Sequence, residues 1–79
     1  MAIEEVIDRA VLLRQTIVIE YCTRSGKVFS CKIADIEYSR YYGGGYIQAL
    51  RLDIDEARTF KISRIMKVNG HSFSRIYWN

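Results

Sequence analysis

Thr16-Ile17-Val18-Ile19-Glu20-Tyr21-Cys22, the Ser25-Gly26 pair, and then Val28 to Glu37 form the passage that decides the fold. In the first arm β-branched and polar residues alternate, which is the period of a half-buried strand. Ser25-Gly26 lies within Thr23 to Lys27 as a turn signal, and the second arm is again strand-like, so the two read as a hairpin. Towards the N-terminus, Ile3, Val6, Ile7, Ala10, Val11 and Leu13 recur at helical spacing. Acids occupy the first turn and Arg9 and Arg14 the end, which predicts a helix over about 3–14. Towards the C-terminus, Ser39 to Gly45 reads as a loop rich in Tyr and Gly, and Tyr46 to Asp53 as a third strand. Ile54 to Glu56 is a tight acidic turn and Ala57 to Ile62 a fourth strand. Arg64 to Val68 and Ser72 to Tyr77 flank Asn69-Gly70, a strong hairpin turn to which His71 also contributes or directly follows.

One helix and five or six short antiparallel strands in 79 residues predict a mainly β fold, a small and strongly bent barrel. The helix would cover an end or an open side. A flat sheet of this size would leave long edges exposed, so closure is the more economical arrangement. The length fits one domain over residues 1–79, with the barrel over about 16–78.

Composition narrows the class. Charged residues make up 27% and apolar residues 49%, which excludes intrinsic disorder. The longest uninterrupted apolar run, Ala10 to Leu13, is far short of a membrane span, so no membrane partner is expected. Glu4, Glu5 and Asp8 give the N-terminus the wrong charge for a secretory signal, and a cytoplasmic location is expected. Cys22 and Cys31 do not amount to a disulfide framework, and with His71 as the single histidine no closed zinc site can be drawn. The two thiols are expected reduced, with a bridge open only to a register that sets them opposite each other. No metal or cofactor is expected. Catalytic signatures are missing as well: there is no G-x-S-x-G, no H-E-x-x-H, and Gly43-Gly44-Gly45 lacks the Lys-Ser/Thr of a phosphate loop. The expectation is a protein that binds rather than catalyses.

Charge is divided unevenly along the chain. Residues 1–39 hold five basic and six acidic groups, net −1; residues 40–79 hold seven and three, net +4. Eight of the twelve basic residues are Arg, the side chain that grips phosphate with two parallel hydrogen bonds and stacks on flat rings. An ordinary mixed surface also fits an overall charge of +3.

Gly45-Tyr46-Ile47-Gln48-Ala49-Leu50-Arg51-Leu52-Asp53, followed by Arg58-Thr59-Phe60-Lys61-Ile62-Ser63-Arg64-Ile65, resembles the WYL domain family. Those domains have an aromatic-led strand, a short turn and an R-x-F-x-x-x-R-I segment, which is intact here. Ala10 to Tyr21 is similar to that family's helix end and first strand, and Ser25-Gly26 to its first turn. The likeness spans roughly residues 3–68. The eponymous triplet is Tyr46-Ile47-Gln48 here, and Ala34 stands near the family's usual proline. The resemblance implies a five-stranded SH3-like or Sm-like barrel that senses nucleic acid or nucleotide-like ligands, in transcription regulation and phage defence. It points to Tyr21, Tyr46, Arg58, Phe60 and Arg64 as ligand-surface positions, with Ser25 beside them.

The residues themselves leave alternatives open. Arg58, Phe60 and Ile62 share one parity, which places Arg58 at the margin of a core. Its guanidinium either meets a ligand anion or pairs internally with Asp53, Asp55, Glu56 or Glu20. Phe60 and Ile62 read as core. Tyr41 and Tyr42, beside Arg40 and three glycines, either stack on exposed bases or fold back over the barrel. Tyr77 and Trp78 would complete the core or contact a second copy. The expected function is a non-enzymatic regulatory module that binds single-stranded nucleic acid or a nucleotide-like phosphate ligand. Arg58, Arg64 and Arg51 would contact phosphate; Tyr21, Tyr46 and Tyr42 would stack. The alternative is a protein–protein interaction module: a homodimer, an accessory subunit or a phage- or plasmid-encoded inhibitor. A WYL-like fragment of a larger regulator is a third reading.

Overall fold

A computed structural model describes residues 1–40 and 44–74. The elements run in the order α1 (Ile3–Leu12), β1 (Ile17–Cys22), β2 (Val28–Tyr38), β3 (Tyr46–Arg51) and β4 (Glu56–Lys61), then a one-turn 3-10 helix (Ile62–Arg64) and β5 (Ile65–Val68). The strands form one antiparallel sheet in the order β4-β3-β2-β1-β5. The mainly β fold with an N-terminal helix is as expected.

The helix buries Ile3, Ile7 and Ala10 at helical spacing, and Val6 and Val11 pack beside them. Its first turn is closed by the Glu5 carboxylate, which accepts the Ala2 backbone N–H at 3.0 Å. It ends at Leu12, two residues before the expected limit. Gln15 N–H donates to Ala10 O at 2.9 Å and Arg14 N–H to Val11 O at 3.4 Å, around Arg14 at φ 53°. Those two bonds are a Schellman motif built without glycine.

The first hairpin pairs Ile17 with Ile33 and Cys22 with Val28. Gly26, at φ 91°, and the Thr23 hydroxyl, which accepts Lys27 N–H at 3.0 Å, hold its turn. β2 then carries an extra residue. Between Ala34↔Leu50 and Glu37↔Gln48 the register shifts, with Asp35 at φ 51°. This bulge moves the buried face from Cys31 and Ile33 to Ile36, so strict alternation fails there and the strand bends.

The sheet is curled. β1 and β4 stand three strand spacings apart in the hydrogen-bonding order, about 14 Å on a flat sheet. Yet the Tyr21 and Phe60 rings lie 5.1 Å apart, edge to face, and the Lys61 backbone N–H donates to the Tyr21 hydroxyl oxygen at 2.9 Å. Among the described residues the edge strands β4 and β5 share no ladder; the one-turn helix joins them. Sequence periodicity had not marked that helix, because Ile62 continues the alternation of β4 into it and stays buried. α1 closes the other side of the core against β2.

Asn69 and Gly70, both at positive φ, form the expected two-residue turn, and Val68 and His71 exchange backbone hydrogen bonds at 3.0 Å across it. A further strand does not follow within the described residues. The chain leaves that bridge and meets the helix start instead, with Ile3 N–H donating to Ser74 O at 2.8 Å. Tyr77 and Trp78 lie outside the described residues.

The register also settles the thiols. Cys31 opposes Ile19 and faces the core, whereas Cys22 opposes the exposed Val28. They sit on opposite faces and three residue pairs apart, about 10 Å, which no disulfide spans. Burial pushes the Cys31 thiol up from its ordinary range. Thiol-reagent kinetics should show Cys22 reacting first and Cys31 only at the rate of unfolding. Phe60→Ala should cost about 3–5 kcal/mol in denaturant unfolding, and Tyr21→Phe about 1 kcal/mol.

Candidate ligand pocket

Where β1 ends and β3 begins, the curl of the sheet brings together residues far apart in sequence. Tyr21, Arg24, Tyr46, Lys61 and Arg64 line a surface hollow of about 290 Å³. Each has a local reason for its place. Tyr21 is near the end of β1 and Arg24 projects from the turn that follows. Tyr46 opens β3 and pairs in register with Lys61 at the end of β4. That pairing brings the Lys61 ammonium to 5.9 Å from the Tyr46 ring centroid. The one-turn helix then carries Arg64 back over the hairpin turn, where its Nη1 donates to Thr23 O at 3.5 Å.

The pocket thus joins three of the expected residues, Tyr21, Tyr46 and Arg64, with two that sequence reading passed over, Arg24 and Lys61. None of the five is acidic, and no carboxylate among the described residues lies within ion-pair distance of Arg24, Lys61 or Arg64. Three positive charges therefore face one small volume. Tyr21 serves the pocket as a wall: its ring packs on Phe29 at 5.8 Å and on Phe60, and its hydroxyl takes the Lys61 N–H. Tyr46, half-buried, presents the aromatic surface beside the cations.

The other candidates lie elsewhere. Arg51 holds Asp53 through two parallel bonds of 2.8 and 2.9 Å and stacks 4.4 Å above the Phe29 ring. The hydrogen bond from Arg51 holds the Asp53 carboxyl below its usual range, and the same bond raises Arg51. Arg58 is exposed on the edge strand, pairs with Glu56 and donates to Ala57 O at 3.0 Å. Of the four acids the sequence offered it, Glu56 is the partner; Glu20 instead faces Lys67 at 3.9 Å. Ser25 shares a hydrogen bond of 3.0 Å with the Thr23 hydroxyl in the turn and does not line the hollow. Tyr42 lies outside the described residues.

A larger hollow, of about 610 Å³, lies along α1 between Met1 and Leu13, with Tyr38 from β2. Glu4, Glu5 and Asp8 outnumber Arg9 there, so its charge disfavours an anion. Tyr38 donates to Asp8 Oδ1 at 2.8 Å, and burial together with that bond pushes its phenol up to about 12. Size favours the helix side and the sign of the charge favours the strand side. For a phosphate-bearing ligand the charge decides, because an acid-lined hollow of any volume repels it.

Among the described residues no group of three His, Cys, Asp or Glu side chains is placed to hold a metal ion, and no helix is long and apolar enough to cross a membrane. In comparisons with known proteins, no family model, no curated protein and no solved structure matches this chain.

Proposed function

We propose that the chain is a WYL-like, non-enzymatic regulatory module whose strand-end pocket binds single-stranded nucleic acid or a nucleotide-like phosphate ligand. The observation that carries this reading is the convergence of Arg24, Lys61 and Arg64 on one hollow that no acid lines. Concentrated positive charge needs an anion, and guanidinium groups favour phosphate because their planar donors match its oxygens. Tyr46 adds a flat apolar surface beside that charge, suited to a base or a ribose. The R-x-F-x-x-x-R-I segment supplies both ends of the arrangement. Phe60 and Ile62 are buried and fix the backbone, and Lys61 between them and Arg64 on the one-turn helix line the hollow.

The reading separates the arginines by environment. Arg64 is available to a ligand, whereas Arg58 and Arg51 already hold carboxylates. Fluorescence anisotropy with labelled single-stranded oligonucleotides should therefore show salt-sensitive binding that Arg64→Ala weakens. The same variant should flatten the salt dependence by about one unit of slope. Arg58→Ala should leave both affinity and slope near those of the parent. Equal losses in the two variants, or an unchanged slope in Arg64→Ala, would remove the pocket from the assignment.

A further inference from the structure

Within that reading, and resting on it, the pocket also indicates which kind of phosphate it accepts. We infer that it is an end-on site for a phosphate monoester, the phosphate of a free mononucleotide or of a strand terminus, and not a groove for the diester backbone. The first ground is the layout of charge. A protein that holds a strand along its length spreads cations in a track and repeats aromatic platforms for successive bases. Here Arg24, Lys61 and Arg64 crowd one hollow. The cations that would continue a track across β3, β4 and β5 are engaged: Arg51 with Asp53, Arg58 with Glu56, Lys67 with Glu20.

The second ground is charge number. A backbone diester carries one negative charge, whereas a phosphate monoester carries about 1.5 to 2 at neutral pH and presents three strong acceptor oxygens. Three cations lining one hollow match the charge of a monoester and would be in excess for a single diester. Arg64 is tethered to Thr23 O at 3.5 Å, and Lys61 is held over Tyr46, so two of the three are partly positioned before a ligand arrives. The third ground is size. About 290 Å³ stands at the foot of the range for small-ligand pockets, room for one nucleotide-sized unit.

The test uses the full chain and short oligothymidylates with and without a terminal phosphate, each labelled at the opposite end. Thymidine monophosphate and thymidine serve as competitors, with Arg24→Ala and Lys61→Ala alongside and circular dichroism as the check of folding. The expected result is that removing the terminal phosphate weakens binding about tenfold or more, and that both variants abolish this difference. Competition by the monophosphate as strong as by the phosphorylated strand would identify a free mononucleotide as the source; much weaker competition would identify the strand terminus. Equal affinity with and without the terminal phosphate, still sensitive to Arg64→Ala, would overturn the end-on site and leave the broader reading standing. No binding of any phosphate compound by the folded chain would overturn both.

Discussion

The fold depends on one contact across the mouth of the curled sheet. The Tyr21 hydroxyl accepts the Lys61 backbone N–H while its ring seats against Phe60. A single side chain thereby pins β4 to β1, strands that never pair in the sheet. Burial of Phe60 and Ile62 supplies the hydrophobic part of this closure, and the hydrogen bond gives it direction. Once β4 is held there, the chain has one short turn of helix in which to reach β5, and that turn aims Arg64 at the first hairpin. The pocket follows from how the sheet curls.

Much of this architecture was legible in the sequence because it is written locally. The alternation in Ile17 to Cys22, the Ser25-Gly26 turn, the apolar stripe of α1 and the Asn69-Gly70 turn each lie within a few residues. What escaped were features that local patterns carry poorly. The Schellman stop after Leu12 uses Arg14 where glycine would announce it, and the β2 bulge uses Asp35. The one-turn helix hides in an alternation that continues from β4 through Ile62. The turn before β4 also begins earlier than expected, since β3 ends at Arg51 and β4 starts at Glu56.

Three of the pocket's five lining residues were legible. Tyr21, Tyr46 and Arg64 followed from the family resemblance, whereas Arg24 and Lys61 have no signature of their own. Lys61 enters through its register with Tyr46, which is fixed only when the length of the β3–β4 turn is known. Arg24 enters through the curl that brings the first turn over the one-turn helix. The opposite holds for Arg51 and Arg58: the resemblance pointed to Arg58 and the basic second half of the chain to Arg51, and neighbours two residues away hold both in ion pairs. Counting cations along a chain overstates the charge available to a ligand, because pairing is a property of the surface.

The separation of the pocket's walls along the chain has a consequence for folding. The hairpins β1–β2, β2–β3 and β3–β4 join neighbours, but Tyr21 meets Lys61 across 40 positions and Thr23 meets Arg64 across 41. Contacts of such range form late, after the entropy of closing the intervening loop has been overcome. Local hairpins can therefore exist in a chain that has no binding site. A ligand of the proposed pocket would therefore bind only the complete cooperative unit, and would in turn stabilise only molecules that have folded to the end.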